Sequence, residues 1–400
     1  MDVQPCSSLL GIIYSLSATN FGARHPSAQP IPPIIIPDLN KLITRCCQYP
    51  VSGGAYGDIY KCIYHGPDGD AEVAVKAIRP FFSTAEVLRR ELGIWKRLRH
   101  SNILKFMGTT RGFGPSEALV APWIVNGNLT SFLSENNDIL GLHDRLLLLR
   151  DIAAGLNYLH TFSVNIDGNT YFNPVVHGDL TGNNVLVGGD RTAYVSDFGL
   201  SGTLTQLPGM TYLAMLNCHA GAWRWSALEL FSTEESASMV TTHSDIYSFG
   251  SIMLQVLTGN LPWSHLTHDF QMYQVIIEQK KHPRPTDDHI TDQHWNFMTS
   301  CWSKTAINRP SAEEALQFID SEIVLYDLGS VDGGQHPALV PVSGYSPQPS
   351  RQLPHYVSLV VSPLRLCLFL LIMLARWLSG IVLPICSLAP VLDRVIHNFG

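Results

Sequence analysis

Residues 176–186 read V-H-G-D-L-T-G-N-N-V-L, and residues 195–199 read V-S-D-F-G. In the first stretch four residues separate Asp179 from Asn184, and Asp197 follows 18 positions after Asp179 (197 − 179). Carboxylate and amide oxygens are the ligands that hard divalent cations prefer. Taken singly, these side chains are also typical of loop caps and ordinary turns. Their joint spacing favours a shared chemical site over those structural roles.

The composition limits the class of protein. The chain has 400 residues, of which 46% are hydrophobic and 15% charged, which suits a large buried core with appendages. The net charge of −7 does not indicate a nucleic-acid partner. The eight cysteines show neither a metal-ligand spacing nor a disulfide framework, so free thiols in a reducing compartment are expected.

The first forty residues differ from the chain that follows. They are nearly uncharged, and the prolines of residues 29–37 exclude a helix there. The absence of a basic segment at the start disfavours a cleaved signal peptide. We therefore expect residues 1–40 to form a flexible leader.

Two features ahead of the central stretch suit phosphate binding. Gly53, Gly54 and Gly57 form a glycine-rich segment whose backbone can approach phosphate oxygens closely, although such a run is also typical of a hairpin turn. Residues 73–76, V-A-V-K, alternate like a half-buried strand that ends in Lys76. A strand lysine is normally solvated, whereas a lysine that binds phosphate in this position needs a carboxylate to hold it.

Glu91 is a candidate for that carboxylate. It lies within residues 83–98, whose apolar side chains have helical spacing. A surface ion pair along this helix would need a basic residue four positions away, but those positions hold Val87 and Trp95. The pattern therefore favours a partner for Glu91 in another element.

Several motifs, in this order, resemble those of protein kinases. The catalytic-loop pattern H-x-D-L-x-x-x-N and the later D-F-G are present, and S-D-I-Y-S-F-G at 244–250, C-W at 301–302 and N-R-P-S at 308–311 resemble motifs of the large lobe. Residues 41–325 are thus similar to a protein kinase domain, most closely to the tyrosine-kinase-like group of Ser/Thr protein kinases. The resemblance implies an α+β, two-lobed protein kinase fold, with a small β-rich N-lobe that carries the αC helix and a large, mainly helical C-lobe.

The resemblance also predicts the domain limits. The N-lobe is expected at about residues 41–121, the hinge at 122–128 and the C-lobe at about 129–325. Residues 326–400 are left as a low-charge linker and a hydrophobic C-terminal tail.

The resemblance implies ATP-dependent transfer of the γ-phosphoryl group to Ser/Thr hydroxyls of protein substrates, with Tyr as the alternative acceptor. In that reaction Asp179 would orient the hydroxyl and accept its proton, Lys76 would bind the α- and β-phosphates, and Glu91 would hold Lys76. Asn184 and Asp197 would bind Mg²⁺, with Mn²⁺ as the alternative ion.

The nucleotide is expected between the lobes. The resemblance assigns the adenine to apolar side chains of both lobes and to the hinge backbone, where Pro122 has no N–H and the donor falls to Ile124. Ala121 occupies the position called the gatekeeper. The residues assigned to nucleotide binding are Gly53, Gly54, Gly57, Ile59, Ala74, Lys76, Ala121, Ile124 and Leu186.

Three of the departures from the family pattern bear on activity. Gly178 replaces an arginine that pairs with a phosphate on the activation loop, Thr181 replaces a lysine that follows the catalytic aspartate, and Ala222 replaces a threonine that contacts this lysine. One positive charge near the transferred phosphoryl group is absent, so the alternative function is a nucleotide-binding pseudokinase or scaffold with weak or no catalysis. As a structural feature of the family, Glu229 is expected to pair with Arg309.

The tail has a different character from the rest of the chain. Residues 357–375 are apolar except for a few small polar residues, Pro363 and Arg365, and residues 377–392 form a second apolar run. A spanning helix needs about 20 apolar residues, and a central arginine costs roughly 2.5–3.5 kcal/mol. Two interpretations stay open: membrane contact through residues 357–392, and a buried or disordered extension. The predicted partners are a protein substrate and ATP, and no nucleic acid is expected. The expected location is the cytoplasm, and under the first interpretation the tail would attach the protein to a membrane.

Overall fold

A computed structural model describes most of the segment that carries these motifs. The described residues are 35–53, 57–78, 92, 95–166, 168–197, 222–231, 240–266, 271–272, 274–275, 278, 280–286 and 290–332. The chain divides into two units, residues 1–336 and 337–400, and every element below belongs to the first. Gly54, Glu91 and the apolar tail lie outside the described residues, and the predictions for them and for the domain limits stay predictions.

Six strands of the described chain form one antiparallel sheet in the N-terminal part. Their order is β1-β3-β4-β6-β5, and β2 pairs with β3. The long hairpin of β3 and β4 turns over two residues, because Gly66 pairs with Gly69. The strands are β1 (Ile43–Arg45), β2 (Ser52–Gly53), β3 (Gly57–Gly66), β4 (Gly69–Ile78), β5 (Gly108–Thr110) and β6 (Ala118–Pro122).

The two faces of this sheet have different neighbours. Val73 and Val75 of β4 are completely buried in a small cluster with Cys62 and Val120. Because side chains alternate along a strand, Ala74 and Lys76 point to the opposite face from Val73 and Val75. Lys76 therefore lies on the face that is turned away from the small cluster.

Five helices of the described residues build the C-terminal part. They are α1 (Leu129–Asn136), α2 (Leu142–His160), α3 (Thr242–Thr258), α4 (Asp292–Cys301) and α5 (Ala312–Asp332). Every residue of α3 from Ser244 to Thr258 is buried, because this helix is apolar or small nearly all round and α2 and α4 pack against it. None of the helices in the described ranges has the length and apolarity needed to cross a membrane.

Two short hairpins separate α2 from α3 in the described chain. Strands β7 (Ser163–Ile166) and β8 (Asn169–Phe172) form the first, and β9 (Val185–Val187) and β10 (Ala193–Val195) form the second. The second hairpin lies between the stretches that contain Asp179 and Asp197. A sheet followed by a mainly helical part is the predicted α+β, two-lobed architecture, which is confirmed.

His282 is an unusual member of the helical core. Its ring centroid lies 4.0 Å from that of Trp263 and 4.2 Å from that of Trp302. Neither ring nitrogen has a hydrogen-bond partner in the described part of the chain. Burial, with a smaller effect of nearby His265, lowers the pKa of the imidazole from its usual 6.5 to about 3.

Replacing His282 with leucine is expected to raise the free energy of unfolding, and more so in acid. Between pH 6.5 and about 3 the unfolded chain binds a proton on this imidazole that the folded chain does not bind, so the native protein loses stability as the pH falls through that window. Near neutral pH the free energy of unfolding of the variant should be higher by about 1 kcal/mol, because two unsatisfied nitrogens are removed. Near pH 5 the difference should be about 2 kcal/mol larger, because the native protein also loses the stability linked to this proton.

Denaturant unfolding of both proteins at the two pH values measures this difference. The same pH dependence in His282→Leu and in the native protein would contradict the assignment of the acid loss to this ring.

Candidate active site

Two short strands bring Asn184 and Asp197 together. Asn184 immediately precedes β9 and Asp197 lies two residues after β10, and the strands pair with Val185 opposite Val195. Ser196 donates hydrogen bonds from its backbone N–H and from its hydroxyl to the carbonyl oxygen of Asn184, each at 2.9 Å. The two predicted metal-binding side chains therefore start from neighbouring backbone positions.

Lys76 reaches this position from the sheet. Its Nζ lies 2.7 Å from Oδ1 of Asp197, and its side chain is only 10% exposed. Asp197 has a φ of +56°, in the left-handed region, which is uncommon for a residue other than glycine and recurs at functional sites. The ion pair joins β4 to the segment after β10, although Lys76 and Asp197 are 121 residues apart in the chain.

Asp179 is oriented by Asn184. The amide nitrogen Nδ2 of Asn184 donates to the backbone carbonyl of Asp179 at 2.7 Å and to its Oδ2 at 3.0 Å. Asp179 is largely buried, with 9% of its surface exposed. The turn between these two residues thus folds the loop back on itself and holds the carboxylate in one orientation.

Helix α3 holds the chain just before Asp179. Asp245 is 1% exposed and accepts hydrogen bonds from the backbone N–H groups of His177 and Gly178, both at 2.8 Å. Nε2 of His160, the last residue of α2, lies 2.9 Å from the same carboxylate. A single buried carboxylate therefore connects α2, α3 and the loop that contains Asp179.

His177 connects the two halves of the site. The N–H of Asp179 donates to its Nδ1 at 3.2 Å, so the ring proton lies on Nε2, which donates to the carbonyl of Ser196 at 3.0 Å. Gly178, next to it, has a φ of +77°. A glycine adopts this conformation without strain, so the residue that replaces the family's arginine suits the backbone here.

Four of the residues predicted to bind the nucleotide lie on one face of the sheet. Ile59 is opposite Lys76, and Ala74 is opposite Ala121, so these four side chains share the face turned away from the small cluster. Leu186 of β9 packs against the large core cluster to which Ala121 belongs. Of the glycine-rich segment, Gly53 lies at the end of β2 and Gly57 at the start of β3.

The hinge backbone carries a donor at Ile124, the position predicted to contact the adenine edge. The N–H of Trp123 donates to the carbonyl of Glu72 at 3.1 Å, and the carbonyl of Ile124 accepts from Gly127 at 3.2 Å. The N–H of Ile124 has no acceptor among the described residues. This is the donor that the sequence assigns to the adenine edge.

The donor set of the candidate ion site suits a hard cation. Asn184 directs its nitrogen to Asp179, and its Oδ1 accepts no hydrogen bond from the described residues. The described residues contain no group of three or more His, Cys, Asp and Glu side chains that could hold a metal. One carboxylate and one amide oxygen fit Mg²⁺, which usually keeps several waters and binds substrate phosphates.

Glu229 and Arg309 form the expected ion pair. Their bidentate contacts measure 2.6 Å and 2.8 Å, and the arginine side chain is 1% exposed. Arg309 also donates to the carbonyls of His243 and Ser303. The pair connects the segment after Ala222 to the chain that precedes α5.

Sequence reasoning misses two buried polar residues of α3. Asp245 appears there only as part of a family motif, and Gln255 is not singled out. A signal for both exists in the sequence, because a carboxylate and a long amide stand inside a helix whose other residues are apolar, aromatic or small. Thr181 and Ala222, where the family has a lysine and a threonine, are both buried.

Comparison with known proteins agrees with this geometry. A family model described as protein tyrosine and serine/threonine kinase matches residues 30–319. The chain is 25% identical over 310 residues to the serine/threonine-protein kinase STY17 of Arabidopsis thaliana, and the aligned region covers 71% of this chain and 49% of that protein. It is 32% identical over 266 residues to the serine/threonine-protein kinase CTR1 of the same plant, covering 65% and 29% of the two chains.

A third relative is the dual specificity protein kinase shkC of Dictyostelium discoideum, 28% identical over 320 residues, or 79% of this chain and 58% of that protein. The chain thus spans about half or less of the length of the two plant relatives. The matches confirm the resemblance to the tyrosine-kinase-like group. Since the family model covers well over half of the sequence, the chain belongs to the protein tyrosine and serine/threonine kinase family.

Proposed function

We propose that this chain is an ATP-dependent protein kinase that transfers the γ-phosphoryl group of ATP to hydroxyl groups of protein substrates. One observation carries the proposal. The ammonium group of Lys76 contacts the carboxylate of Asp197 at 2.7 Å. The amide of Asn184 donates to the backbone carbonyl and the carboxylate of Asp179, at 2.7 Å and 3.0 Å.

Phosphoryl transfer needs positive charge over the phosphate oxygens and an oriented hydroxyl more than it needs covalent chemistry by the protein. Lys76 supplies a positive charge on the face of β4 that is turned away from the small cluster. Asp179 accepts a hydrogen bond from the substrate hydroxyl and takes its proton while the new oxygen–phosphorus bond forms and the bond from the γ-phosphorus to the bridging oxygen breaks, so that ADP leaves. Asn184 and Asp197 would hold Mg²⁺, which neutralises charge on the phosphate oxygens when it is bound.

Serine and threonine are the proposed acceptors, with tyrosine as the alternative. The stretch Arg224-Trp225-Ser226 before Glu229 resembles that of tyrosine-kinase-like members, which mostly modify serine and threonine. The two plant relatives are named serine/threonine kinases and the Dictyostelium relative a dual specificity kinase, which supports the same order of preference.

The second candidate function is a nucleotide-binding scaffold. Thr181, two residues after Asp179, is uncharged and buried, and Ala222 is buried as well, so the usual lysine charge is missing after Asp179. The loss of one such charge-stabilising group commonly lowers a rate by about 10²–10³-fold. The complete set of Lys76, Asp179 and Asp197 favours catalysis over the scaffold.

A Mg²⁺- and ATP-dependent phosphorylation assay tests the proposal. The purified full chain is expected to phosphorylate a degenerate peptide library with a fixed Ser, Thr or Tyr acceptor, and Lys76→Met is expected to lower the rate by about 10²-fold or more because the charge beside the phosphates is lost. Equal incorporation by both proteins would indicate a contaminating kinase. Nucleotide binding without incorporation by the native chain would favour the scaffold.

A further inference from the structure

Gln255 is a buried side chain that joins distant segments around the catalytic loop. It lies in α3 and is 1% exposed. Its Oε1 accepts a hydrogen bond from the indole nitrogen of Trp225 at 3.0 Å, and its Nε2 donates to Oγ1 of Thr130 at 3.1 Å. Trp225 belongs to residues 222–231 and Thr130 to α1, so one amide connects three elements.

The same amide lies directly against the catalytic loop at Gly182. The carbonyl of Gly182 accepts a hydrogen bond from the N–H of Thr130 at 3.2 Å. A Cβ atom at position 182 would lie 2.5 Å from both Oε1 of Gln255 and Oγ1 of Thr130, which is too close for any real side chain. The loop therefore rests on this pair of polar groups, three residues after Asp179.

Helix α3 thus supports the loop on both sides of Asp179. Asp245 holds the N–H groups of His177 and Gly178 before it, and Gln255 meets Gly182 after it. The two supports are ten residues apart, or about 15 Å along a helix. Because both belong to the stretch of α3 that is buried at every residue, Ser244 to Thr258, their separation is set by a rigid element.

We propose that Gln255 is a positioning residue for phosphoryl transfer. It holds the second half of the catalytic loop, and through it Asp179 and Asn184, in place relative to the segment that contains Trp225. The proposal rests on the proposed kinase function. A displacement of about 1 Å in a reacting group can cost roughly 100-fold in rate. Gln255 should therefore affect kcat, whereas nucleotide binding depends on other elements.

The test compares Gln255→Met with Ser251→Ala. Ser251 lies one turn earlier on α3, is completely buried, and accepts a hydrogen bond from the indole of Trp302 at 3.3 Å. Each variant removes a hydrogen bond between α3 and an indole, so each should lower Tm by about 2–6 °C. Of these two side chains, Gln255 is the one that lies against the catalytic loop, at Gly182, in the described part of the chain.

Gln255→Met is expected to lower kcat about 10- to 100-fold and to leave the KM for ATP and the Kd of a non-hydrolysable ATP analogue within about twofold. Ser251→Ala is expected to keep kcat within about twofold. Equal losses of kcat in the two variants, or no loss in either, would overturn the positioning role.

Hydrogen exchange of residues 177–187 is a second readout that does not depend on turnover. Gln255→Met should accelerate exchange there by about tenfold, because the loop loses a support, and Ser251→Ala should not. Unchanged exchange in Gln255→Met would also overturn the proposal. If the native chain fails to phosphorylate any peptide, the proposed function fails, while the exchange result still decides whether Gln255 positions the loop.

Discussion

Replacing Asp179 with asparagine is expected to lower kcat by about 10²–10⁴-fold, because an amide cannot take the proton of the substrate hydroxyl. The substitution is nearly isosteric, and Asn184 can still donate to the backbone carbonyl at position 179, so the loop should keep its conformation. The affinity for an ATP analogue should change little, since this carboxylate faces the acceptor. Single-turnover phosphorylation measured beside equilibrium nucleotide binding separates the two effects.

Asp190→Asn is the matched control. Asp190 is an exposed carboxylate after β9 whose oxygens, among the described residues, accept hydrogen bonds from Thr192 in its own turn. Its replacement should leave kcat unchanged within about twofold. An undiminished kcat in Asp179→Asn, or the same loss in both variants, would exclude Asp179 as the proton acceptor.

Replacing Asp245 with alanine is expected to lower the free energy of unfolding by about 3–5 kcal/mol. The carboxylate is 1% exposed and accepts two backbone N–H groups beside His160, so alanine would remove the acceptor of several buried donors. Because these donors belong to the loop before Asp179, kcat should fall as well. Denaturant unfolding of the full chain near neutral pH measures the loss of stability.

Asp320→Ala provides the contrast. Asp320 pairs with Arg150 at 2.7 Å, but both side chains are nearly half exposed, so its loss should cost less than about 1 kcal/mol. The predicted difference between the two variants comes from burial, since each removes one carboxylate. A loss below about 1 kcal/mol in Asp245→Ala would show that the loop does not depend on this buried acceptor.

Local patterns in the sequence predicted the elements that carry the site. The alternation of residues 73–76 predicts the strand that presents Lys76, and this strand is β4. Residues 142–162 have apolar side chains at helical spacing, which predicts a long amphipathic helix, and the structure has this helix at Leu142–His160. Such patterns depend on side-chain periods of 2.0 and 3.6 residues, which a short stretch reveals without its partners.

Contacts between stretches that are far apart in the sequence are harder to predict from local patterns. The family resemblance implies Glu91 as the partner of Lys76, which stays a prediction because Glu91 lies outside the described residues. The structure shows Lys76 against Asp197. It also shows that Gly178 adopts a left-handed conformation, which glycine adopts without strain. The replacement of the family's arginine by glycine therefore affects the backbone as well as the charge at this position.

The sequence by itself determined the family of this protein and the chemical kind of each candidate site residue, because motif spacing and residue type are local properties of the chain. Only the tertiary structure decided that Asp245 and Gln255 support the catalytic loop from both sides. A buried polar group must find a hydrogen-bond partner, and which partner it finds depends on how a helix more than sixty residues away packs against the loop.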